Sequence, residues 1–352
     1  MESVQINLVQ PKSNHVKFIT VLTVLSCLGV LYLHCNFIFW GFSKTPTWIG
    51  SNIIESLFYF SAPMFFMISG ATLMDYRDRY NTKTYFKKRV AKVGIPFLVW
   101  TFIMLIFYSA IGTLLWKDFF ANYFKGIFYT NIESTYYFIV DILVIYCTIP
   151  FISLIPKDKR KRAFEYIIIL ILILNFILPF SFNMAQKNYN ASWQIPVITG
   201  NMIYPIIGYY IYKYDLNKWV KYIIYLLGLG GVLTILLGTQ MISFNLGWLD
   251  TRFKGYLNLP CLLYTVSLFT LFKDLEKTRF MEKLYSVCKI FSSFTFGIYL
   301  SHKIIIILLS DYLSVDFNLL WVRLIMPIVI FQFLSLVIYL LKKVPYLNKI
   351  VP

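Results

Sequence analysis

Charge is scarce in this chain. Only 14% of its 352 residues are charged, while 59% are hydrophobic. A soluble domain carries about 25% charged residues, and one core cannot hide this much apolar surface from water. The shortage excludes a soluble globular enzyme. Acidic residues are the scarcer sign, 16 against 33 Lys and Arg. Cysteine is sparse too. Cys27, Cys35, Cys147, Cys261 and Cys288 lie mostly in or beside apolar runs, and none forms a CxxC pair. Neither a disulfide framework nor a metal site is expected. Low-complexity linkers, a soluble domain and a clear internal repeat are all missing. One domain over residues 1–352 is therefore expected, and transporter folds built from paired halves are disfavoured. No cleavage signal is visible either: the first apolar run is long enough to span and is followed by Trp40 rather than by small residues.

What is present is a series of apolar runs between charged clusters. About ten of them occur, centred near residues 28, 64, 101, 145, 172, 204, 231, 264, 300 and 331. Each has about the 20 residues that a membrane helix needs. The expected fold is all-α and polytopic, with about ten transmembrane helices. Trp and Tyr gather near several run ends, as interface anchors do.

A net charge of +17 raises the question of nucleic acid. Its placement argues against that partner. With ten spans, 25 of the 33 Lys and Arg fall on one side and 6 on the other, and Lys303 and Arg323 fall inside spans. This alternation is the positive-inside pattern. It puts both termini in the cytoplasm and accounts for most of the charge through topology and attraction to membrane lipid.

An ionisable side chain at bilayer depth costs several kcal/mol, so each one needs a partner or a task. The candidates are His34, Glu55, Asp141, His302, Lys303 and Arg323. His34 sits in the outer half of the first run. Eleven residues earlier is Thr23, on the same helix face and roughly 16 Å away. Thr20 and Cys27 fall near that face, so the stripe is expected to line one polar cavity. An imidazole titrates near neutral pH, which makes His34 a candidate general base as well as a candidate structural hydrogen-bonder. His302 lies mid-run, with Thr295 and Tyr299 on its side; a polar seam between helices explains it as well as chemistry does. Asp141 has three open roles: pairing with a cation such as Lys303, orienting a histidine, or touching substrate. Glu55 and Arg323 lie near run ends and are expected to reach the outer interface.

The junction after residues 63–70, Pro-Met-Phe-Phe-Met-Ile-Ser-Gly, carries Arg77, Arg79, Lys83, Lys87, Lys88, Arg89 and Lys92. As a solvated loop this stretch needs only topology to explain it. On a helix, Lys88, Arg89 and Lys92 would cluster at the cytoplasmic mouth, where three cations suit a polyphosphate.

Six stretches, in order, together resemble acyltransferase family 3 of integral membrane proteins over nearly the whole chain. They are Leu-Tyr-Leu-His ending at His34; Phe65, Phe66, Ser69 and Gly70; Phe86-Lys87-Lys88-Arg89 running to Pro96; Tyr136-Tyr137-Phe138 running to Tyr146 and Pro150; Gly208-Tyr209; and Ser292 to His302, with Gly-Ile-Tyr-Leu-x-His at its end. The resemblance implies ten or so helices in a bacterial inner membrane. It also implies an acyl-CoA donor, commonly acetyl-CoA, held from the cytoplasmic side, and a cell-surface glycan as acceptor. His34 is then the catalytic histidine; Lys88, Arg89, Lys92 and Ser69 belong to the donor site, and Thr23, Asp141, Tyr299 and His302 to the cavity. The chain departs from the pattern at Thr23 and Thr20, where many members have an arginine and an acid, and at Thr135-Tyr136, where a histidine often occurs. Two other functions fit the same features: a transporter or flippase for a saccharide or lipid-linked glycan, and a catalytically idle scaffold in glycan assembly.

Overall fold

The computed structural model describes residues 16–193 and 200–351. Lys12, counted among the inner cations, lies outside them. No strand occurs among the described residues. The principal helices are α1 (Lys17–Cys35), α2 (Pro46–Asp78), α3 (Thr82–Ala110), α4 (Ser134–Ile152) and α5 (Lys157–Met184). They continue as α6 (Ile203–Lys213), α7 (Lys218–Leu246) and α8 (Leu259–Asp274). The last three are α9 (Arg279–Phe291), α10 (Thr295–Tyr312) and α11 (Leu320–Lys343). The protein is an all-α multi-pass membrane protein.

Seven of these helices are long and apolar enough to cross a bilayer, and the bent pair α9–α10, angled by 65°, makes up to eight. The expected ten includes α6 and α8, with 11 and 16 residues. At about 1.5 Å per residue neither reaches the roughly 30 Å of a hydrocarbon core. Protein rather than lipid surrounds α6: eight of its residues are buried.

Ion pairs mark one end of the bundle. Lys17–Glu282, Lys157–Asp78, Arg160–Asp75, Lys213–Asp75, Lys221–Asp274 and Lys273–Asp215 join different helix ends within 2.6–3.2 Å. All of these residues belong to the side with the cation excess, so the charges assigned to that side gather at one end of the bundle.

Two glycines set the closest approach in the bundle. A Cβ on Gly70 would fall on the carbonyl of Pro205, and one on Gly208 would fall on the backbone of Met67. Helices α2 and α6 therefore touch backbone to backbone, which only glycine permits at these positions. Next to Gly208, the Tyr209 hydroxyl donates to Asp75 at 3.0 Å and accepts from Arg160 at 3.2 Å. This latch ties the inner ends of α2, α5 and α6 together.

The basic stretch is not a loop. Residues 82–92 continue into α3 as helix, with a wider π-helical turn over Val90–Gly94. Pro96 has no N–H to bond the Lys92 carbonyl four residues back, so the ladder cannot run through this point as a regular α-helix.

Candidate functional site

Two cavities stand end to end inside the bundle. The inner one, about 290 Å³, is lined by Thr23 of α1, Ser69 and Thr72 of α2, Arg89 and Lys92 of α3, Tyr146 of α4, and Thr295 of α10. None of its lining residues is acidic. Arg89 lies over the rings of Tyr85 and Tyr146, at 5.9 and 5.5 Å, and its Nε is buried without a hydrogen-bond partner. The π turn begins directly after Arg89 and contains Lys92, so it sets how both cations face the cavity. Lys88 is not part of this lining; its ammonium sits 4.1 Å over the Tyr80 ring. Of the residues expected at a donor site, the fold brings together Arg89, Lys92 and Ser69, and leaves Lys88 aside.

The outer cavity, about 260 Å³, is lined by His34, Trp40, Glu55, Tyr59, Thr135, Tyr137 and Tyr256. Phe65, Phe138 and Tyr299 line both cavities. Their rings pack in sequence, Phe65 to Phe138 at 5.6 Å and Phe138 to Tyr299 at 5.2 Å. This aromatic wall is held by crossed hydrogen bonds between α4 and α10. The Tyr299 hydroxyl donates to the Thr135 carbonyl, and the Tyr136 hydroxyl donates to the Leu300 carbonyl at 2.7 Å.

The α1 stripe therefore does not line one cavity. Thr23 faces the inner one and His34 the outer one. Between them Cys27 is fully buried, with its thiol 3.4 Å from the Thr295 carbonyl. The Thr23 hydroxyl donates to Ile19 O one turn back, at 2.7 Å. No charge comes to the inner cavity from α1; its cations come from α3.

His34 packs against His302 of α10 with ring centroids 4.9 Å apart. The two histidines, 268 positions apart in sequence, form one pair: His34 lines the outer cavity, and His302 lies behind it and lines neither cavity. Asp141 pairs with neither a histidine nor Lys303: it accepts from Asn201 Nδ2 at 2.9 Å. It also lines neither of the two cavities.

Glu55 and Arg323 do not reach the outer interface; they are 4% and 0% exposed. Asn36 joins them. Its Nδ2 donates to Glu55 at 3.2 Å, and its Oδ1 accepts from Arg323 Nη1 at 3.2 Å. Arg323 also donates to the Ser51 hydroxyl and to Thr47 O. Near the carboxylate, Lys254 is 6% exposed, donates to Ser56 at 3.4 Å and lies over the Phe39 and Tyr59 rings. Burial pushes the Lys254 ammonium below its usual range, while the Glu55 carboxylate opposes that shift. Distance to a run end was the wrong guide here. The segment after His34 folds back as a short 3-10 turn, and the 250–258 segment closes over it. Protein thus surrounds the cluster except where Glu55 borders the outer cavity.

Sequence reasoning missed Asn36, Lys254, Tyr137 and Tyr256 as parts of this region. Asn36 carried a usable signal, being a polar residue two positions after a candidate base. The others lie in polar connections or at a helix start, where only the tertiary path reveals what they face.

The family model described as an acyltransferase domain matches residues 16–341. The chain belongs to acyltransferase family 3. No curated protein and no solved structure matches it. As a family member it is a membrane acyltransferase, and the stretches that carried the resemblance converge on the two cavities. His34 is in the outer one, Ser69 and Arg89 are in the inner one, and His302 is against His34. Gly70, Gly208 and Tyr209 position α2 behind them.

Proposed function

We propose that this acyltransferase takes an acyl group, commonly acetyl, from cytoplasmic acyl-CoA and passes it to a hydroxyl of an exported or cell-surface glycan. The observation that carries this reading is the pair of cavities with a shared wall. A cationic cavity at the inner end abuts, across three rings, an aromatic cavity that holds an imidazole. Arg89 and Lys92 suit the phosphates of coenzyme A, since charge-assisted bonds to phosphate are among the stronger polar contacts. The pantetheine arm would pass along Ser69 and Thr23 toward the wall. Phenol and indole faces in the outer cavity suit the apolar face of a sugar ring, and Glu55 suits its hydroxyls.

The reaction needs a base for the acceptor hydroxyl. His34 takes that proton, the oxygen attacks the thioester carbonyl, a C–O bond forms and the C–S bond breaks. The coenzyme A thiolate leaves and recovers the proton from His34. General-base help of this kind is worth about 10²–10⁴ in rate. The arginine that many members carry on α1 is replaced here by Thr23, and the α3 cations take over the donor's charge.

The test is mass spectrometry of surface glycans from cells with and without the gene. Acyl esters that vanish on deletion and return with the intact gene support the reading. Unchanged esters, together with altered export of the glycan itself, favour a transporter.

A further inference from the structure

The His34–His302 pair carries an inference beyond a lone catalytic imidazole. His302 is fully buried. Its Nδ1 lies 2.6 Å from the carbonyl oxygen of Tyr299. A carbonyl only accepts, so Nδ1 carries the proton. In the neutral ring Nε2 is then a bare acceptor, and it is buried with no hydrogen-bond partner. A buried polar atom without a partner is costly, and in a native fold it asks for a reason. The neighbouring ring is that of His34, with centroids 4.9 Å apart and planes inclined by 39°, close enough for a small ring rotation to bring the nitrogens within hydrogen-bond reach. His34 also borders the outer cavity.

We propose that His302 is a positioning residue for His34: its Nε2 accepts the N–H of one His34 ring nitrogen and so leaves the other His34 nitrogen bare toward the outer cavity. This rests on the proposed role of His34 as the base. An imidazole alone divides its proton between two nitrogens, and only one tautomer presents a lone pair to the acceptor. The pair fixes that choice without a carboxylate. When the bare nitrogen takes the acceptor's proton, His34 becomes an imidazolium whose other N–H still points at His302 Nε2. That bond strengthens with the charge. The proton then leaves from the cavity side to the thiolate, and His302 keeps its own proton throughout. The other charged groups around the pair are Lys303, the next residue on α10; Glu133, at the head of α4; and Glu55, across the cavity on α2.

Two substitutions separate this role from a structural one. His302→Asn keeps a donor near the Nδ1 position, for the Tyr299 carbonyl, but loses the acceptor. His302→Gln places an amide oxygen near the Nε2 position and gives up the Tyr299 bond. The chain has three histidines, His15, His34 and His302, so the full-length protein labelled with ¹⁵N-histidine in nanodiscs yields three ring spin systems. The expected result is one dominant His34 tautomer in the native protein and in His302→Gln, and a mixture in His302→Asn. In the transfer assay, His302→Asn loses about tenfold to a hundredfold in kcat, by analogy with removing the partner that orients a metal-bound histidine, with the KM for acetyl-CoA unchanged. His302→Gln retains most of the rate. A His34 tautomer ratio unaffected by either change overturns the proposal, as does loss in Gln with retention in Asn. Should the variants fail to assemble, the native spectrum still decides, because mixed His34 tautomers there contradict it. The spectrum needs no turnover, so a protein without transferase activity would refute the function while the pair is judged separately.

Discussion

The two cavities are built by different means. The inner one draws its cations from a single helix, and its threonine hydroxyls are spent on their own backbone: Thr23 on Ile19 O and Thr72 on Ile68 O. Nothing there fixes a ligand by a dense set of contacts. Lys92 is exposed and Arg89 is half-buried over Tyr85 and Tyr146, an arrangement that would suit docking of a mobile polyanion. In the outer cavity, Glu55 is held through Asn36 to Arg323, and His34 is backed by His302. Fixed geometry replaces loose charge. On the proposed division of labour, docking tolerates exposure, whereas proton transfer and ester formation need groups whose positions are over-determined.

The strongest way to break this contrast is His34→Ala. The proposed mechanism expects transfer to fall by about 10²–10⁴ while the protein stays folded and still binds acyl-CoA, read by turnover and by equilibrium binding on one preparation. A variant that loses binding as well would place His34 in the donor site and erase the division between the cavities. Next in size is Arg323→Ala. Removing a buried cation from a hydrogen-bonded network costs about 3 kcal/mol, so thermal unfolding in detergent should shift well below that of the native protein. Little or no shift would show that the outer cluster is not what braces its cavity.

How much of this was legible in the sequence divides along the same line. The inner end was readable, because topology writes itself in Lys and Arg, and because Gly70, Arg89 and Pro96 sit close together along the chain. The helical class and the side of the cation excess followed from the same signal. The outer end was not. His34 and His302 are far apart in sequence, and Lys254 falls in a segment that reads as an ordinary connection. Glu55 and Arg323 looked like interface residues because hydropathy measures position along a span, not what covers it. The Thr23–His34 stripe was a correct helical face, but the aromatic wall from α2, α4 and α10 divides what that face lines. No property of α1 alone could show this.

Two substitutions are expected to have smaller effects. Gly70→Ala pushes a methyl group into the Pro205 carbonyl. An overpacked site of this kind costs about 1–3 kcal/mol, so a lowered melting temperature is expected, with weaker donor binding as α2 and Ser69 shift. Undisturbed stability would mean that α2 and α6 are less tightly joined than their backbones indicate. Arg89→Ala should weaken acyl-CoA binding about tenfold, or roughly 1.4 kcal/mol, and added salt should narrow the gap to the native protein. Lys88→Ala is the internal control, expected to bind nearly as the native protein does, since its ammonium lies over Tyr80 rather than in the cavity. Equal losses from both changes would return the basic stretch to a diffuse surface charge.

In the proposed reaction, donor and acceptor meet from opposite ends of one protein. Inside-out and right-side-out sealed vesicles carrying the protein and a surface glycan, supplied with radiolabelled acetyl-CoA on one side at a time, test it most directly. Label should reach glycan on the far side of the membrane only when acetyl-CoA is given at the face bearing Arg89 and Lys92. Equal labelling from either face, or labelling of glycan only on the side that received the donor, would contradict it.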